Sequence, residues 1–139
     1  EDEMPYDFKI GDAVPYIPTA EEIDTGYDRA ELRMWVAEPL RVPGDGALLS
    51  MGYGEFRAWA EFVGLRDLFY SGSSHHTAGL IPHHPGCARL TPGHLARFRE
   101  ALAAAEKGNW ERGVEVAQWF VRWTEKALAE CSVPALHNR

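Results

Sequence analysis

The alternation of apolar and polar positions divides the chain near residue 50. Beyond that point three stretches repeat apolar residues every three or four positions, the period of a helix buried on one side. In the first, GEFRAWAEFVGLRDLFY, Phe56, Trp59, Ala60 and Val63 form one stripe, and Gly64 predicts an end or a kink before Leu65, Leu68 and Phe69 resume it. In the second, LTPGHLARFREALAAAEKG, Thr91 is placed as an N-cap and Pro92 as the first helical residue; Leu95, Phe98, Leu102 and Ala105 turn inward, and Gly108 ends the helix. The third, NWERGVEVAQWFVRWTEKALAEC, takes Asn109 as its cap and aligns Trp110, Val114, Ala117, Val121, Thr124, Leu128 and Cys131. So short a connection between the last two predicts an antiparallel pair.

The first 50 residues have a different texture. They hold five of the nine prolines (Pro5, Pro15, Pro18, Pro39, Pro43), and only ELRMWVAEPLRV alternates like a strand, with Leu32, Met34 and Val36 on one side. PTAEEID predicts a short capped turn of helix, Thr19 at the cap and Glu22 three residues on, and PGDG at Pro43 to Gly46 predicts a turn. The expected fold is α+β and mostly helical, one domain over residues 1–139. Its acidic, proline-rich N-terminal third (1–50) is extended, with a short strand or hairpin, and packs on a helical body (51–139) of three helices.

Composition agrees with that picture: 139 residues, 45% hydrophobic, are enough to bury a core without cross-links. No apolar run approaches the roughly 20 residues that cross a bilayer, and no export signal is visible, so a cytoplasmic protein is expected, with no membrane partner. Two cysteines, Cys87 and Cys131, are a poor disulfide framework. Reduced thiols are the expectation, a single bridge the alternative.

Charge changes the picture more. Residues 1–31 carry ten acids (Glu1, Asp2, Glu3, Asp7, Asp12, Glu21, Glu22, Asp24, Asp28, Glu31) against Lys9 and Arg29, a net of −8 in a chain whose total is −7. Nucleic-acid affinity is dominated by Lys and Arg on phosphates, which argues against direct nucleic-acid binding. Two readings of the segment stand: a solvated, soluble N-terminus, or a surface that docks on a basic protein or mimics nucleic acid in a channel. Deleting residues 1–30 is expected to leave a folded body.

The chemistry-bearing side chains crowd into HHTAGLIPHHPGCARLTPGH, His75 to His94, which holds five of the six histidines and Cys87. In HPGC the Pro85–Gly86 pair favours a type II turn, which brings the Cα atoms of His84 and Cys87 within about 7 Å. An imidazole and a thiolate so placed suit a zinc-like ion, with His94 at a helix N-terminus and His76 or His75 as further ligands. The candidate metal set is His84, Cys87, His94 and His76. Against it, only one short ligand spacing is present where structural zinc sites have two. The alternative is a proline-stiffened loop with Cys87 tucked under the helix as a small apolar residue. No cofactor is expected in that case, and zinc in the other.

Other motifs are weaker. SGSSHH lacks a G-x-S-x-G elbow, GYG at Gly52 to Gly54 lacks a dinucleotide fingerprint, and no P-loop occurs. Glu100, Glu106, Glu111 and Glu115 read as the solvated face of amphipathic helices. Trp119 and Trp123, four apart, widen the apolar arc of the last helix: either it is buried on two sides, or this second face receives a partner.

MGYGEFRAW, then HHPGCARLTPGHLARFREAL and a closing helix that runs to ALHNR, together resemble a set of small uncharacterised bacterial proteins. These open with a Met-x-Tyr-Gly-x-Phe helix, pass through a His-Ser-Asp-Cys-Asp-Gly-type loop into a Pro-initiated helix, and have no established activity. The resemblance covers residues 51–139. Here His84-Pro85-Gly86-Cys87-Ala88 replaces the acidic loop, so no role of its aspartates carries over.

The function expected from all this is non-enzymatic: a regulatory accessory protein that binds a protein partner through Glu21, Glu22, Asp24 and Asp28 and the Trp119 and Trp123 face, such as an inhibitor carried by a phage or mobile element. The alternative is a metal-dependent hydrolase using loop 75–94.

Overall fold

The computed structural model describes residues 5–15, 19–24, 34–41, 46–70, 79–81 and 86–139, with backbone alone at 15, 22, 23, 34 and 35. Among the described residues ten elements follow in order: β1 (Pro5–Pro15), α1 (Ala20–Asp24), β2 (Met34–Pro39), β3 (Leu48–Gly52), α2 (Tyr53–Phe62), α3 (Arg66–Tyr70), β4 (Gly86–Arg89), α4 (Pro92–Lys107), α5 (Glu111–Glu130) and β5 (Pro134–Asn138). The architecture is α+β, with helices against an antiparallel five-stranded sheet.

The eleven-residue β1 organises that sheet. Its first half pairs with β3, Pro5 opposite Gly52 to Lys9 opposite Leu48, and its second half pairs with β2, Gly11 opposite Pro39 to Pro15 opposite Met34. Its other edge pairs with β5, from Phe8 opposite Asn138 to Asp12 opposite Pro134, and β5 in turn carries β4. The register shifts between Asp12 and Ala13, the mark of a bulge that re-aims the strand. β2 also approaches β4 and β5, with Cα atoms within 8 Å, so the sheet curls on its outer side. Gly11 permits β2 to pass close over β1: a Cβ there would run into the Glu38 carbonyl oxygen and lie 2.9 Å from Val36 Cγ1.

The pleat sends alternate residues to opposite faces. Tyr6, Phe8 and Ile10 of β1, with Leu136 of β5, face the helices and join one core cluster with Phe56, Trp59, Phe69, Phe98, Phe120 and Trp123. Aromatic rings fill its centre: Trp59 stacks on Phe120 at 5.4 Å, and Phe98 lies 5.0 Å from Phe120. On the other face Ala13, Val36 and Ala135 form a second, smaller cluster with Cys87 and Val133 against it.

Much of the helical reading holds. α2 buries Phe56, Trp59 and Ala60, and the chain turns at Gly64, whose φ of +78° is the left-handed conformation that glycine adopts at no steric cost, before α3 begins. α4 starts after Thr91 with Pro92 first and is capped at Gly108. Phe98 against Phe120 and Arg99 bonded to Glu125 at 2.7 Å show that α4 and α5 run antiparallel.

Four expectations need correction. Residues 1–30 are not separable from the body as expected: Phe8 and Ile10 are 0% exposed in a strand with partners on both edges, because burying that strand satisfies its backbone and its apolar face together. The strand expected in ELRMWVAEPLRV is β2, but it is one of five among the described residues; β4 and β5, at Gly86–Arg89 and Pro134–Asn138, fall where a loop and the tail of the last helix were expected. Asn109 does not cap α5; it takes φ +58°, which Asn tolerates better than most residues, and Trp110 occupies the cap position without a side-chain bond. Of the stripe expected on α5, Ala117 and Thr124 are buried and Val114, Val121 and Leu128 only half-buried; the buried face also takes in Gly113, Val116, Phe120, Trp123 and Ala127, because sheet and α4 both press on it. Leu32 and the PGDG turn at 43–45 lie outside the described residues.

Candidate functional site

Of the candidate metal ligands, His76 and His84 lie outside the described residues, as do His75 and His83. Cys87 and His94 are described, on separate elements. Cys87 sits in β4 directly opposite His137 of β5, and His137 in turn opposes Lys9 of β1, so thiol, imidazole and ammonium form one row across the sheet's outer face. Cys87 packs against the small cluster of Ala13, Val36 and Ala135 rather than under a helix. That burial pushes its thiol up to about 11, with Lys9 pulling weakly the other way. The thiol is therefore protonated at neutral pH. Cys131, at the end of α5, is also free and raised, first by burial and then by Asp12 and Glu130.

His94 is the third residue of α4, where a side chain can reach back to the cap. Its Nδ1 accepts the Thr91 N–H at 2.9 Å, and the Thr91 hydroxyl accepts the His94 N–H at 3.2 Å, a closed capping box. An accepting Nδ1 puts the ring proton on Nε2. Burial, then the nearby Arg97, hold the imidazole below its ordinary pKa. Among the described residues no group of three or more His, Cys, Asp or Glu side chains converges as a metal site.

Of the candidate partner residues, Glu21 and Asp24 are exposed on α1, Asp28 lies outside the described residues, and the side chain of Glu22 is not described. Trp119 and Trp123 both turn into the fold. Trp123 is 2% exposed in the core, and Trp119, half-buried, donates its indole N–H to the Gly46 carbonyl at 2.8 Å. Trp123 belongs to the main core cluster and Trp119 packs against it. Two of the N-terminal acids also have partners within the fold: Asp7 accepts from the Ser50 hydroxyl and Asp12 from the Val133 N–H at 2.8 Å.

One polar cluster went unnoticed in the sequence. The Tyr6 and Tyr70 hydroxyls meet at 3.1 Å, Tyr53 packs on the Tyr6 ring at 4.6 Å, and the Arg57 guanidinium lies 5.7 Å over the Tyr70 ring. Tyr53 and Arg57, four apart on α2, share a helix face, which the spacing does signal. Tyr6 and Tyr70 are 64 residues apart and are joined only by folding.

No known protein family, curated protein or solved structure matches this chain.

Proposed function

We propose that this protein is a regulatory accessory protein that binds a protein partner with a basic surface, through the acidic segment around α1. The observation that carries the reading is the display of Glu21 and Asp24, both exposed on a five-residue helix that follows the central strand β1. They belong to the segment whose net charge is −8. With its strand anchored in the core, the fold offers carboxylates on a structured support, which lowers the entropy lost on docking. Opposite charge on a partner steers encounter and selects against acidic surfaces. An inhibitor of a basic host protein, of the kind phages and mobile elements carry, suits this chemistry.

The hydrolase reading has less behind it. It needs Cys87 and His94 around one ion, and they lie on separate elements, with Cys87 packed against the small outer cluster and one nitrogen of His94 spent on the helix cap.

The test is affinity capture from cells of the source organism with the full chain and with a Glu21→Lys, Asp24→Lys variant of equal thermal stability. A basic protein retained by the first, released by salt and lost with the variant supports the reading. Equal retention by both, or retention unaffected by salt, overturns it.

A further inference from the structure

We draw no further inference here: the strongest candidate, the row of Cys87, His137 and Lys9 across the outer face of the sheet, sets a single thiol and a single imidazole beside an ammonium, and nothing among the described residues supplies a third ligand or shows what would bind there.

Discussion

The Trp59 indole N–H donates to the Gly113 carbonyl at 3.0 Å, joining the middle of α2 to the first turn of α5 inside the core. The bare Cα of Gly113 lets the Trp110 ring pack against the same turn. A Cβ on Gly113 would stand 2.8 Å from the Trp110 ring, so Gly113→Ala is expected to destabilise despite the better helix propensity of Ala. Overpacking costs about 1–3 kcal/mol, against about 1 kcal/mol gained from propensity. Trp59→Phe, which loses the bond and leaves a void, should cost about 2–4 kcal/mol. Urea unfolding of both variants checks the pair.

Thr124 sits in the same core, 0% exposed, with no hydrogen-bond partner for its hydroxyl among the described residues. Replacing a buried, unsatisfied hydroxyl by a methyl of similar shape removes a desolvation cost without leaving a void. Thr124→Val is therefore expected to stabilise by about 1 kcal/mol, read as a rise in thermal midpoint. A fall would show that the hydroxyl has a partner.

The capping box at α4 gives the protein an acid-sensitive joint. His94 is held below its ordinary value of 6.5 in the folded state, so the unfolded chain binds the extra proton first. Stability should be full above pH 6.5 and decline as pH falls from there toward the folded value, because protonated Nδ1 no longer accepts the Thr91 N–H. His94→Gln keeps an acceptor in reach of the cap and should flatten this part of the profile. Thr91→Ala should cost about 1 kcal/mol at every pH. Chemical unfolding across pH 5 to 8 distinguishes these outcomes.

Cys87 should be a slow thiol. With burial raising it to about 11, its thiolate fraction at pH 7.5 falls roughly a hundredfold below that of an exposed cysteine, and labelling by a disulfide reagent should slow by tenfold or more. Unfolding should restore ordinary reactivity. The same shift makes stability fall as pH rises from about 9 through 11, since the unfolded thiol ionises first. Elemental analysis of protein never exposed to a nickel column completes the test: about one equivalent of zinc, lost in a His84→Ala, Cys87→Ala variant, would revive the metal site.

Truncation before Val14 should abolish cooperative unfolding. It removes the strand that holds β3, β2 and β5 together and takes Tyr6, Phe8 and Ile10 out of the core. A folded product, judged by a cooperative thermal transition, would show that the helices suffice alone.

Local rules made the helical half legible. Thr91 before Pro92, Gly108 after Lys107 and the left-handed Gly64 are punctuation that acts within a few residues, and each boundary falls where that chemistry places it. The close approach at Gly11 shows the limit. A glycine inside a strand signals a close backbone approach, but nothing nearby names Val36 and Glu38 as what approaches.

The sequence by itself determined the three long amphipathic segments, the caps of α4 and the concentration of acid at the N-terminus, because periodicity, capping and charge are properties of neighbouring residues. Only the tertiary structure decided that the acidic third supplies the central strand, that PALHN and GCAR are strands, and which face of α5 is inside. Strand pairing joins residues more than a hundred positions apart, Phe8 with Asn138 among them, and depends on edges that the whole fold must bring together. The Tyr6–Tyr70 contact has the same origin.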